Sequence, residues 1–162
     1  MQRILSVSIS VAYLQMPGTP DSKSPETIVA FDFGLRRIGV AVGQNVTSSA
    51  NPLAAVRNTD SGADWQAIAN IVDEWHPSRL IVGMPLHEDG SPSQMGAAIK
   101  AFMHELGRFE LPVEQVDERY SSLEANEALK SDRAMGLRGR INKEAIDSVA
   151  AALIAERWLR NS

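Results

Sequence analysis

Asp32, the adjacent pair Asp117 and Glu118, and Asp147 are the residues whose type and setting could do chemistry. Asp32 closes the apolar run of TIVAFDF, and Glu118 follows Asp117, the last residue of LPVEQVD. Asp147 is the only charged residue between Glu144 and Glu156, within AIDSVAAALIA. A carboxylate facing an apolar interior is unfavourable unless it is paired or bound to a metal. Each also has a plainer use. Asp32 can cap the bend at Gly34, Asp117 and Glu118 can complement a helix dipole or pair with Arg119, and Asp147 can sit exposed in a first helical turn. Together, carboxylates from two strand ends and one helix start could converge on hard cations, Mg2+ or Mn2+, which take oxygen ligands. Two such ions about 3.5–4 Å apart activate water and stabilise the leaving oxygen in phosphodiester hydrolysis. Successive strand residues face opposite ways, so either Asp117 or Glu118 could point inward.

The basic residues are local. Arg36 and Arg37 come just after Asp32, and Lys130, Arg133, Arg138, Arg140 and Lys143 face a single Asp132 in the stretch that leads to Asp147. That stretch is either a solvated loop or a clamp for a nucleic-acid backbone; its adjacency to Asp147 favours the clamp. The candidate substrate-binding residues are therefore Arg36, Arg37, Arg138, Arg140 and Lys143. No serine–histidine pairing is evident. His76, His87 and His104 lie far apart and read as surface or loop residues.

The elements that must position these groups alternate between strands and helices. TIVAFDF is a strand running into Gly34, and a hairpin through residues 34–37 leads to RIGVAVG. There Ile38, Val40 and Val42 share one face, and Gly39, Ala41 and Gly43 make a very small opposite face. Gly34, Gly39 and that small face could let a phosphate-bearing ligand approach the backbone. Residues 52–56 predict a weaker third strand. Ile68, Ile71, Val72 and Trp75 repeat with helical spacing, and Pro77 ends that helix. Leu80-Ile81-Val82 is a short buried strand. Ser91-Pro92-Ser93-Gln94 has the form of a capping box opening a helix with Ile99, Phe102, Met103 and Leu106 on one face. LPVEQVD is the next strand, Ser121 to Glu124 a second capping box, and residues 144–159 a final helix with Ile146, Val149, Ala150, Leu153 and Ile154 turned inward. The order predicts one mixed α/β domain over residues 26–162. Residues 1–25, with a Pro/Gly/Ser-rich end, read as an N-terminal extension.

Composition excludes several classes. With 162 residues the chain can bury a core without a staple, and with no cysteine it has no thiol catalysis, no cysteine zinc site and no disulfide framework. That fits a reducing compartment, the cytoplasm. A formal net charge of −4 means that a polyanion must be held by a local patch or through metal ions. No apolar run reaches the roughly 18 residues of a membrane span.

The blocks FDFGLRRIGVAVG, IVGMPLHEDGS, VDERYSSLEA and INKEAIDSVAAALI, in that order, resemble the four signature blocks of the YqgF family over about residues 27–160. The resemblance implies an RNase H-like fold, a five-stranded mixed sheet flanked by helices, with a metal-dependent carboxylate site. It implies a nuclease that matures the 5′ end of pre-16S rRNA, or alternatively a Holliday-junction resolvase. The chain is expected to act as a monomer or homodimer, and cutting two strands of a junction would favour the dimer. Carried over block by block, the acidic site residues are Asp32, Glu118 and Asp147, and Asp89-Gly90 match the family's loop. The family's proteins start close to the first strand, so residues 1–25 depart from it. Two rivals are weighed against this reading. Asp32 to Gly39 also resembles the phosphate loop of actin-like sugar kinases, which need two such domains. A non-catalytic RNA-binding role would leave the carboxylates as inherited structure.

Overall fold

Arg37 to Gln44 turns back along Thr27 to Asp32 because the intervening residues 33–36 are short and include a glycine, and the resulting hairpin is the centre of the sheet. The computed structural model describes residues 24–85, 94–117 and 143–162. Their elements in chain order are β1 (Thr27–Asp32), β2 (Arg37–Gln44), β3 (Ser49–Thr59), β4 (Gly62–Ala63), α1 (Trp65–Trp75), β5 (Arg79–Met84), α2 (Gly96–Leu106), a 3-10 turn (Gly107–Phe109), β6 (Val113–Asp117) and α3 (Lys143–Asn161). The sheet order is β4-β3-β2-β1-β5-β6, with β1, β5 and β6 parallel and β2, β3 and β4 antiparallel to their neighbours. This is the mixed α/β fold that the pattern predicts. The sixth strand is the two-residue β4, too short to show as periodicity.

The period-2 pattern of β1 and β2 builds two cores. Val29 and Phe31 of β1, with Ile38 and Val40 of β2, face α1 and α2, where Ile68, Ile99, Phe102 and Leu106 close the larger core. Phe31 and Phe102 meet edge to face at 5.6 Å, a favourable ring geometry. Ile28 and Ala30 face the other way, against Ile154, Ala155 and Leu159 of α3.

At Ala41 and Gly43 the small face of β2 receives α3. Ala41 packs on Ala151 and Ala152, and a Cβ added at Gly43 would lie 3.2 Å from Leu159 and 3.4 Å from Ala155. The helix lies close to the sheet because neither side offers bulk there. For the same reason its inward face differs from the expected one. Ala151, Ala155 and Leu159 are buried beside Ala150 and Ile154, whereas Val149 and Leu153 are only partly covered.

The helices of the larger core begin in different ways. Asp64 caps α1, its side chain accepting from the Ala67 N–H at 3.1 Å, and His76 ends the helix in the left-handed region at φ 45°. In contrast, α2 starts at Gly96 after an N-cap Met95 that makes no side-chain bond. The helix thus begins beyond the Ser91–Gln94 box; Ser91 to Ser93, and the second box at residues 121–124, lie outside the described residues. Among the described residues, no helix is long and apolar enough to cross a membrane.

Candidate active site

Asp32 reaches the carboxyl edge of the sheet by strand parity. Ile28 and Ala30 face α3, so alternation sets Asp32, the last residue of β1, on that same side. It pairs with Gly39 of β2 and is partly exposed.

The turn that follows is pinned from β3. The backbone N–H of Asn58 donates to the Arg36 carbonyl at 2.9 Å, and its side-chain Nδ2 donates to the Gly34 carbonyl at 2.7 Å. Gly34 is required here, since a Cβ would collide with the carbonyl oxygen of Arg37. Asp32, Gly34, Arg36 and Arg37, with Met95 at the start of α2, line one cleft of about 360 Å³. An acidic group and two guanidinium-bearing residues thus share one wall, held on a fixed turn. Arg36 is exposed and Arg37 half-buried.

Position 147 comes to the same edge through the direction of α3. Leu159 and Ala155 lie at Gly43, near the amino end of β1, and Ala151 lies at Ala41 in mid-strand. One turn earlier, buried Ser148 donates from Oγ to the Leu53 carbonyl at 2.5 Å, and Leu53 pairs with Val40. Stepping back along α3 is therefore stepping along β2 toward Gly39, the partner of Asp32. Residue 147 precedes Ala151 by four residues, about 6 Å of helix. Gly39 lies two residues from Ala41, about 7 Å of strand. The backbone sets position 147 level with Asp32, on the same face of the sheet.

The third carboxylate is decided by register. Phe31 pairs with Val82 and Val82 with Gln115, so Asp32 is level with Val116, and Asp117 extends one residue further. Val116 packs on the α3 side, and Val113 on the side of α1 and α2. Alternation puts Asp117 with Val113, across the sheet from Asp32. Its backbone carbonyl accepts from Arg157 Nη1 at 2.6 Å. Register therefore disfavours Asp117 as a substitute for Glu118. Glu118, Asp89, Gly90, Arg138 and Arg140 lie outside the described residues, and Lys143 opens α3 four residues before Asp147. His76 and His104 are exposed, as read from sequence, and His87 is outside the described residues.

Two positioning residues escape a reading of motifs. Asn58 sits in a polar stretch with no signal that its side chain crosses to the β1–β2 turn. Ser148, adjacent to Asp147 in an otherwise alanine-rich helix, carried a signal: a buried hydroxyl needs an acceptor.

The model of the RuvX family, described as Holliday junction resolvase, matches residues 26–161. This chain belongs to the RuvX, or YqgF, family. A Burkholderia lata relative, provisionally named pre-16S rRNA nuclease, is 44% identical over 134 residues, covering 82% of this chain and 88% of that one. A Nitrosococcus oceani relative of the same name is 44% identical over 141 residues, 86% of this chain and 90% of that one. Among solved structures, Thermus thermophilus RuvC in complex with a Holliday junction substrate matches with a TM-score of 0.53 at 16% identity, over 85% of this chain and 97% of that one. That likeness is one of fold, the RNase H-like arrangement that the family implies.

Proposed function

We propose that this RuvX-family chain is a metal-dependent endonuclease that hydrolyses nucleic-acid phosphodiesters, with the 5′ end of pre-16S rRNA as its substrate. The observation that carries the reading is the convergence of β1 and α3. By strand register and helix direction Asp32 and position 147 stand level on one face of the sheet, and Asp32 lines a cleft with Arg36 and Arg37. The names borne by the relatives at 44% identity support the RNA substrate.

The donor set suits a hard cation, since carboxylate oxygens are the ligands that Mg2+ and Mn2+ take. In this reading Asp32, Glu118 and Asp147 hold the metal. When bound, the metal supplies Lewis acidity and counter-charge for the attack of water on phosphorus. The chain's own part is positional. The Asn58-pinned turn fixes Arg36 and Arg37 where they can neutralise the phosphates flanking the scissile bond. Arg138, Arg140 and Lys143 would clamp the backbone further along. A cysteine-free chain acting on rRNA would work in the cytoplasm. Residues 1–25 would be an extension outside the nuclease domain, and the chain would act as a monomer or homodimer.

A second reading, cleavage of a Holliday junction, is favoured by the family description, and a non-catalytic RNA-binding role is the third. Matched assays on a pre-16S rRNA 5′ fragment and on a four-way DNA junction, each with Mg2+, Mn2+ or EDTA, separate them. Metal-dependent cleavage of the RNA alone is the expected result. Cleavage of the junction alone supports the second reading, and binding without cleavage under every metal supports the third.

A further inference from the structure

A second groove opens from the candidate active site. It has a volume of about 450 Å³ and runs between the β3–β4 hairpin and α2, sharing Phe33 and Leu35 with the cleft that holds Asp32. That size is within the range of small-ligand clefts. Its character changes where it leaves the cleft. Arg36 and Arg37 belong to the cleft alone; among the described lining residues of the groove none is basic, and Asp60 and Glu105 stand on its rim. A phosphate is therefore accepted on one side of the Phe33–Leu35 ridge and repelled on the other.

The floor is apolar and open. Ala98 and Ala101, one turn apart on α2, add no bulk, and the half-buried Phe33 ring leans on Phe102 at 5.2 Å. Leu35 sits at the crest of the turn with 68% of its surface exposed. A single exposed leucine is ordinary. This one is held on a turn fixed by two hydrogen bonds from Asn58, between a cationic cleft and an apolar groove.

We propose that the groove receives one unpaired nucleobase from the strand whose phosphate lies at the Asp32 cleft, with Leu35 as the wedge that separates this base from its neighbour. Continuity identifies the occupant. In a nucleic acid the next apolar, uncharged group after a phosphate is a base, and only an unstacked base can leave the strand and enter a groove. Apolar side chains of leucine type open base steps in this way elsewhere. The carboxylates of Asp60 and Glu105 are acceptors suited to the exocyclic amino groups of adenine, cytosine or guanine. The inference rests on the nuclease reading and sharpens it. The substrate must offer an unpaired nucleotide beside the cut, whether in single-stranded RNA or at the crossover of a junction.

Fluorescence anisotropy with labelled oligonucleotides tests it, using single-stranded RNA and a four-way DNA junction with one abasic site moved along each strand. One position should lower affinity about tenfold, in keeping with the stacking contribution of a single base. Its location, in the RNA strand or at the crossover, tells which source supplies the base. Ala101→Trp fills the groove from an exposed helix position, and Leu35→Ser removes the wedge. Both should bind intact strands as weakly as the wild type binds the abasic one and should lose sensitivity to the abasic site. A flat abasic scan, or full sensitivity in both variants, overturns the groove proposal even where metal-dependent cleavage persists. Abasic sensitivity without any metal-dependent cleavage would instead overturn the nuclease reading and leave the base site standing.

Discussion

At the amino edge of the parallel strands, Arg79 is held between Glu26 at 2.6 Å and Glu114 at 3.2 Å. The Trp158 ring lies 5.2 Å from its guanidinium and donates from Nε1 to Glu114 at 2.9 Å. The hydrogen bond that Arg79 Nε donates to Glu26 is the main cause that raises the Arg79 guanidinium above its usual range. At the carboxyl edge of the same strands the charges are arranged differently. Arg36 and Arg37 follow Asp32 on one pinned turn and line a cleft with it. The first group joins the chain before β1 to β5, β6 and α3, and its charges answer one another. The second lines a cleft, on a turn whose Arg36 and Gly34 carbonyls accept hydrogen bonds from Asn58. Charge at a strand end is thus structural when its partners come from the elements it joins. It is a candidate for function when it lines a cleft at the carboxyl ends of the strands.

The largest expected effect tests the carboxyl edge. Asp147→Asn keeps size and removes a charge, so metal-dependent hydrolysis should fall by several orders of magnitude. The melting temperature should hold or rise, because crowded carboxylates repel one another without metal. Lost stability with retained activity would refute the metal assignment. Register adds a control: Glu118→Gln should behave like Asp147→Asn, whereas Asp117→Asn should retain most activity. The reverse pattern would mean that β6 does not keep its parity at its end.

Gly34→Ala comes next. Its new Cβ would press on the Arg37 carbonyl, and relief requires the turn to move. Urea unfolding should show a loss of about 1–3 kcal/mol, with cleavage reduced at least tenfold because the guanidinium groups shift. An unchanged rate would separate the turn from the chemistry.

Arg79→Leu probes the other edge. Its ion pairs are partly exposed and screened, so together with the ring contact they should contribute about 1–2 kcal/mol. Cleavage per folded molecule should stay within twofold of wild type. A large loss of activity would contradict the division between the two edges.

The smallest effect concerns Ser148→Ala. Removing one buried hydrogen bond to Leu53 should cost about 1 kcal/mol in thermal unfolding. Because that bond ties the amino-terminal half of α3 to β3 beside position 147, cleavage should fall a few-fold while the salt dependence of binding stays unchanged. A flatter salt slope would place Ser148 in substrate contact instead.

The strands and helices that carry the site were legible because their patterns are local. The alternation in RIGVAVG sorted two faces before any contact was known, and the spacing of Ile68, Ile71, Val72 and Trp75 announced α1. The isolation of Asp147 in an apolar helix was legible for the same reason. What β2's small face was for was not. Glycine and alanine permit either a ligand or a helix to come close, and only the fold shows α3 lying there. The start of α2 was misjudged because a capping sequence states what could cap a helix, while packing of Ile99 and Phe102 decides where the helix begins.

The amino-acid sequence by itself determined the order of elements, the cysteine-free chemistry, and the acidic candidates Asp32, the pair Asp117 and Glu118, and Asp147, each a property of neighbours along the chain. Only the tertiary structure decided which side of the sheet Asp117 faces, that position 147 returns to the level of Asp32, and that Asn58 holds the β1–β2 turn. These depend on strand register and helix direction, which are set by contacts between residues far apart in sequence. A one-residue change in register would send the same side chains to the opposite face.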